Sequence, residues 1–369
     1  MKKVLKLKRI YLLILLPVSL ILTVVARNSS FFAEQVFARY IYKWISQIIS
    51  LITGILPFSL AEILVLLLPF AVFLLFIRFL YRFIKKKNER KTILLKGILN
   101  ILCSVSVLLF LFTIFAGINY HRYSFSHYAK LEVRESSVDE LYALTESLAI
   151  QANELRAKVP VTDEEGVFQL SESNYQLAKK AEQAMRQLSK EYSVLGGRYG
   201  KAKPIMLSSV MSYTEITGIF IPFTMEANVN VDIPDYTIPA TMLHEMAHLR
   251  GFMREDEANY IAYLAGMESD SVEIKYSSTM LALTIARNAL YKQSPDLYFK
   301  VMNQCSKEVL KDIRANVEYW VEYEDTVVST VANKVNDTYL KANAQADGVK
   351  SYGRMLDLLL AKYRKDHAE

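Results

Sequence analysis

Three long apolar runs in the first third of the chain limit what it can fold into more than any other feature. They lie at about residues 10–26, 59–81 and 97–118. The second and third hold about twenty residues each, enough for a helix to cross the hydrocarbon core of a bilayer. Lipid offers no partners to backbone N–H and C=O groups, so such runs are read as helices. Arg9 and Arg27 bound the first run, and Lys2, Lys3, Lys6 and Lys8 precede it. A basic flank and a short apolar core also describe a cleaved signal peptide. No small-x-small cleavage site stands out and further spans follow, so an uncleaved membrane helix is the preferred reading.

Charge placement sets the expected orientation. Basic residues are densest at the N-terminus and in the loop that carries Arg82, Lys85, Lys86, Lys87, Arg90 and Lys91. Both should face the cytoplasm. Three spans then put everything after residue 120 on the far side, and signal cleavage would not change that. The expected domains are a membrane region, residues 1–120, and an extracytoplasmic domain, residues 121–369. The formal net charge of +6 is concentrated beside the spans. No basic stripe interleaved with aromatics follows them, which argues against nucleic acid as a partner.

Residues 31–52 are amphipathic. Gln35, Arg39, Lys43 and Gln47 recur every four residues, while Val36, Tyr40, Ile41, Trp44, Ile45 and Ile48 fill the other face. This pattern is read as a helix lying in the membrane interface, with a packed membrane helix as the alternative. Trp44, Tyr120, Tyr123 and Tyr128 are read as interfacial anchors.

The remainder has ordinary soluble composition and reads mainly as helix. Ser137 with Glu140 and Ser173 with Gln176 have capping spacing, and Gly196-Gly197 closes the second helix. One or two short strands are expected over 217–231, where β-branched and aromatic residues gather. Helices resume near Pro239. The expected class is α+β, predominantly helical, after a three-helix membrane region.

Chemistry concentrates in Thr241-Met242-Leu243-His244-Glu245-Met246-Ala247-His248-Leu249, which has the HExxH pattern. Residues four apart on a helix share one face, so two imidazoles there can hold one Zn²⁺. Glu245 can then take a proton from an attacking water. The chain has 5 histidines and 2 cysteines, Cys103 and Cys305, far apart in sequence. A metal site must therefore be built from His and carboxylate. Met253-Arg254-Glu255-Asp256-Glu257-Ala258-Asn259 supplies the third ligand: Glu255 first, Glu257 as its rival, then Asp256. Asn259, four residues after Glu255, can support a ligating histidine.

HEMAH followed by EDEAN resembles the gluzincin branch of zinc metallopeptidases. Those enzymes take their third ligand from a Glu on the next helix, commonly in Glu-x-x-x-Asp, where Glu255 and Asn259 stand here. Metzincins place a third His where this chain has Arg254. The whole chain is also similar to a family of bacterial membrane proteins of unknown function, through GIFIPFTMEANVN, HEMAHLRGFMREDEANYIAYLA and GVKSYGRMLDLLL. The resemblance implies a zincin-like domain in the bacterial cytoplasmic membrane, one Zn²⁺, and a strand that binds peptide by strand addition. Phe220, Ile221, Asn228 and Asn230 are its candidate residues. An oxyanion stabiliser is also implied, with Tyr352, Arg354 and Tyr213 as candidates.

The functional expectation is a membrane-anchored zinc metallopeptidase acting on peptide or protein. An inactive metallopeptidase-like sensor or binding protein of the cell envelope is the alternative. Proteolysis inside the bilayer is disfavoured, because residues 241–251 form too short and too polar a helix.

Overall fold

Apolar length and end signals together generate the membrane-type helices. The computed structural model describes residues 8–343, 345 and 348–367, the side chains of Val349 and Tyr352 excepted. A 3-10 stretch, Lys8–Ile14, leads into α1, Leu15–Asn28. A π-helical stretch, Phe32–Tyr42, runs into α2, Lys43–Thr53. Then come α3, Leu60–Lys85, and α4, Arg90–Phe115. Lys8–Asn28, Leu60–Lys85 and Lys87–Phe115 are each long and apolar enough to cross a membrane. The last begins before the apolar run at 97. Arg90, Lys91 and Lys96 form helix well, and apolarity marks only the part suited to lipid.

The N-terminus of α3 is tied to the body of the protein. Ser59 Oγ accepts from the Glu62 backbone N–H at 3.0 Å, as the capping spacing implies. The Glu62 carboxylate does not return to Ser59. It accepts from the backbone N–H groups of Met206 and Leu207 at 3.0 and 2.9 Å. The N–H groups of Leu60 and Ala61 donate to the Glu226 carboxylate at 3.0 and 2.8 Å. Lys203 Nζ donates to Glu226 and to the carbonyls of Thr53 and Phe58. The first-turn donors that a helix leaves orphaned are thus satisfied by the Ser59 hydroxyl and the Glu226 carboxylate.

Residues 32–53 are packed inside out relative to a soluble helix. Glu34, Tyr42, Ser46, Ser50 and Thr53 are buried against the body, while Tyr40 and Trp44 are 70% and 63% exposed. Ile48, Ile52 and Ile55 lie outward with them. The polar face finds partners in the protein, and the apolar face looks away from it.

The body follows. α5, Val138–Arg156, opens with a complete capping box from Ser137 and Glu140, and α6 is Asn174–Glu191. Three strands, β1 Lys203–Pro204, β2 Gly218–Ile221 and β3 Glu226–Val229, form a sheet of order β1-β3-β2. β2 and β3 are an antiparallel pair in which Phe220 faces Ala227, and β1 runs parallel to β3. β1 was not expected from the sequence: it is two residues long and owes its existence to a partner far along the chain. Next are α7, Ile238–Leu249, α8, Glu255–Met267, and α9, Val272–Gln293. The chain continues with α10, Lys307–Val321, α11, Val327–Ala342, and α12, Met355–His367. Helix accounts for 74% of the structure and strand for 3%, so the fold is predominantly helical. One core runs through α5, α6, α7, α8 and α9. A second joins Phe37, Tyr42, Ile118 and Tyr120 to Met225, Leu249 and Met253.

That second core contains a buried ion pair. Arg122 Nε and Nη2 meet the Glu34 carboxylate at 2.7 and 3.1 Å, and Nη1 donates to the Arg250 carbonyl at 3.2 Å. The guanidinium also lies 4.2 Å from the Phe252 ring centroid, a cation–π geometry. Removing one partner of such a pair leaves a buried charge uncompensated, at about 3–5 kcal/mol. Arg122→Ala in the full chain should therefore lower the thermal midpoint in detergent sharply, whereas Arg134→Ala, at an exposed pair, should leave it nearly unchanged. Residues 121–369 expressed alone lack Glu34, Tyr42 and the start of α3. They should elute as aggregate on size exclusion, and a monodisperse folded peak would refute this account of the second core.

Candidate metal centre

α7 is buried along almost its whole length, so its residues project into designed surroundings rather than solvent. Pro239 sits in its first turn, where the missing N–H has no cost. Gly251 ends it with φ +87°, a conformation that favours glycine, and its N–H donates to the His248 carbonyl at 2.8 Å. A Cβ there would lie 2.9 Å from Tyr42 and 3.0 Å from Arg122. The Tyr42 hydroxyl faces the His248 and Leu249 carbonyls at 3.3 and 3.2 Å. The C-terminal end of α7 is thus held by residue 42, from the segment next to the first span.

The chain leaves α7, turns, and re-enters as α8, which brings Glu255 back over the two histidines. His244 Nε2 and His248 Nε2 are 3.0 Å apart. Glu255 Oε2 lies 3.1 Å from the first and 3.5 Å from the second. These three are the group among the described residues whose ligand atoms converge closely enough to hold one ion. Atoms bound at 2.0–2.1 Å in tetrahedral directions would be about 3.3–3.4 Å apart.

Hydrogen bonding fixes what those atoms present. His248 Nδ1 is 2.7 Å from the Phe252 carbonyl, which can only accept, so Nδ1 carries the proton. His244 Nδ1 is 2.7 Å from Asn259 Oδ1, and the same tautomer follows. Both Nε2 atoms then offer lone pairs to one point, beside a carboxylate oxygen that accepts no aligned hydrogen bond. Three converging lone pairs repel unless a cation lies between them. A proton can play that part: burial opposes charge on His248, but the Glu255 carboxylate outweighs it and raises His248 to about 9. Burial pushes Glu255 up, and the two imidazoles outweigh it, bringing Glu255 to about 2. A proton and a divalent cation compete for the same atoms. The donor set, two imidazoles and one carboxylate with a second shell in place, fits Zn²⁺.

Glu245 stands beside this cluster, 3% exposed. Burial raises its pKa to about 6, only partly offset by His244 and His248, and the Phe220 backbone N–H donates to it. Its Oε2 has no hydrogen-bond partner. Gly218 makes room for it: a Cβ at 218 would sit 2.6 Å from Glu245 Oε1 and 2.7 Å from Thr241 Cγ2.

The cluster opens into a cavity of about 1030 Å³. Its lining includes β2, the loop from Thr214 to Phe223, Trp320 of α10, Tyr339 of α11, and Phe112 and Ala116 at the end of α4.

The structure sorts the remaining sequence candidates. Glu257 accepts from the Phe125 backbone N–H at 3.0 Å, with Arg254 at 3.8 Å. Burial raises it to about 7 against the pull of Arg254. It faces the core, and so is not the third member of the cluster. Asp256 pairs with Arg254 at 2.9 Å. Phe220 and Ile221 lie on β2, which has a free edge at the cavity. Asn228 does not: it is on β3, whose edges are both taken, and its amide donates to the Ile219 carbonyl. Asn230 is buried and donates to Ser212. Of the four candidates Phe220, Ile221, Asn228 and Asn230, the first two line the cavity and the last two do not. Tyr213 packs edge-on against Tyr323, and neither it nor Arg354 lines the cavity. The Tyr352 side chain lies outside the described residues.

Three contributors escaped the sequence reading. Gly218 is one glycine in a strand-like run, a pattern that signals close backbone approach without naming the partner. Tyr42 reaches the cluster from about two hundred residues away. Tyr339 shares a 3.0 Å hydrogen bond with Tyr120, which is buried rather than placed as the interfacial anchor expected, and no local pattern marks Tyr339.

Fold and site together define a predominantly helical protein with three helices long and apolar enough to span a membrane and a His-His-Glu cluster in a deep cavity. The chain belongs to the family described as "Protein of unknown function (DUF3810)", which it matches over residues 37–360. No curated protein and no solved structure matches it.

Gly218→Ala should force Glu245 or β2 to shift, at about 1–3 kcal/mol of overpacking. The thermal midpoint of the full chain should fall accordingly. An unchanged midpoint would show that the strand approaches α7 less closely than 2.6 Å implies.

Proposed function

We propose that the protein is a membrane-anchored zinc-dependent metallopeptidase of zincin type, its body on the extracytoplasmic side of the bacterial cytoplasmic membrane. One observation carries this reading: two imidazole lone pairs and one carboxylate oxygen meet within 3.0–3.5 Å, next to a buried glutamate with a free oxygen facing a cavity. An ion-pair network built for stability alone would place donors against those acceptors. The dense basic loop between the second and third spans supports the orientation.

His244, His248 and Glu255 would hold the zinc, and Asn259 and the Phe252 carbonyl would fix the tautomers of the two histidines. Zinc held there would supply a Lewis acid that lowers the pKa of an attacking water. Glu245, buried beside the cluster with one unpartnered oxygen, would take a proton from the attacking water and pass it to the leaving nitrogen. In sum the water's hydroxyl goes to the carbonyl carbon, its proton goes to the amine, and the C–N bond breaks. The β2 edge offers backbone groups to align an extended peptide.

The full chain in detergent should bind about one zinc by metal analysis. Asn259→Ala should weaken zinc about 10–100-fold, because His244 loses the partner that orients it. Glu245→Gln should keep the zinc and lose hydrolysis of peptide by at least about 100-fold. Glu257→Gln should keep both. Zinc retained together with full hydrolysis in Glu245→Gln would reject the role of Glu245. Zinc bound with no hydrolysis of any peptide by the unaltered chain would favour the sensor alternative.

A further inference from the structure

The cavity beside the cluster extends to the third span. Phe112 lies three residues before the end of α4 at Phe115, and both Phe112 and Ala116 line the space that His244, Glu245 and His248 line. At 1.5 Å per residue the cavity dips about one helical turn, roughly 4–5 Å, alongside the apolar span. Tyr339 of α11, 40% exposed, lines that end, 6.1 Å ring to ring from Phe112 and hydrogen-bonded to Tyr120.

The chemistry of the lining is one-sided. Among the described residues no Lys or Arg lines the cavity. Its ionisable groups are Glu215, Glu245, Glu255 and the two histidines, with Tyr120, Tyr236 and Tyr339, and Glu215 is occupied by the Asn333 amide at 2.7 Å. A free C-terminal carboxylate or a phosphate headgroup would find no Lys or Arg among the described lining residues to receive it. The rest is largely apolar: Ile216, Ile219, Phe223, Ile285, Trp320 and Val335. The volume of about 1030 Å³ accommodates several residues of extended chain. Along one wall runs the outer edge of β2, which pairs with no strand among the described residues and has one N–H, that of Phe220, already donating to Glu245; such an edge pairs with a polypeptide and not with an acyl chain.

Building on the metallopeptidase reading, we propose that the substrate is an internal, uncharged, apolar stretch of polypeptide lying directly next to a membrane span of another protein. The protein is then an endopeptidase for juxtamembrane segments. A partner span lying against α4 places its adjoining residues at the end of the cavity lined by Phe112 and Tyr339, and the absence of Lys and Arg among the described lining residues disfavours chain ends and acidic segments.

The test uses the full zinc-loaded chain in phosphatidylcholine vesicles. One reporter carries an uncharged apolar segment of about ten residues immediately after a single span. A second has a hydrophilic spacer of about thirty residues between span and segment, and a third is the free peptide. Such a spacer moves the segment up to about 100 Å away. The near-span segment should be cut about tenfold or more faster than the other two, because its tether raises the local concentration at the mouth. In parallel, a photo-crosslinking residue replaces Val335, which is 63% exposed, in the Glu245→Gln background. It should capture the near-span segment without any turnover.

Equal cleavage of all three reporters overturns the juxtamembrane proposal and leaves the metallopeptidase reading intact. Capture of the near-span segment with no cleavage by the unaltered chain retires the peptidase reading and keeps the occupant. Release of fatty acid from the vesicles, with no reporter cut or captured, overturns both.

Discussion

The hold that the membrane-side segment has on the end of α7 underlies the rest of this structure. Two groups supply it. The Tyr42 hydroxyl faces the last carbonyls of the helix, and Arg122, neutralised by Glu34, reaches the carbonyl of Arg250. The last carbonyls of a helix have no intrahelical partner and carry its negative end. Satisfying them with a phenol and a guanidinium fixes where α7 stops, hence where Gly251 turns and where Glu255 re-enters. The histidine–glutamate cluster inherits its geometry from that lock.

The same economy recurs at the other junction. Glu226, on the central strand, caps the first turn of the second span, and Lys203 ties that carboxylate to the carbonyls of Thr53 and Phe58. β3, the end of α2 and the start of α3 meet at one buried cation. Because β3 also pairs with β2, the position of the span bears on the strand that borders the cavity. Membrane region and body are therefore one mechanical unit, although the sequence changes composition sharply near residue 120.

Periodicity and spacing made much of this legible. The HExxH spacing puts two imidazoles on one face of any helix, since a turn takes 3.6 residues. Capping signals at Ser137 and Ser173 locate real helix starts, because a side-chain oxygen placed there satisfies an orphaned N–H. The choice between Glu255 and Glu257 was a different matter. The two lie on opposite sides of the first turn of α8, and only the packing of Phe125 and Arg254 shows which side faces the core. Asn228 and Asn230 lie away from the cavity for a related reason. Alternation identifies a strand but not whether its edges are free, and β1, which occupies one of them, is too short to recognise.

What the sequence alone determined was everything governed by neighbours within about one helical turn or one bilayer crossing: three apolar helices, their basic flanks, a histidine pair at i and i+4, and the second helix that follows it. The tertiary structure alone decided which carboxylate completes the cluster, that Tyr42 and Gly218 border it, and that the cavity runs along the end of α4. The physical reason is distance along the chain. The contacts that decide these points, Phe125 with Glu257, Tyr42 with His248 and Gly218 with Glu245, join residues separated by tens to hundreds of positions, and no local preference encodes a partner that only the folded packing brings near.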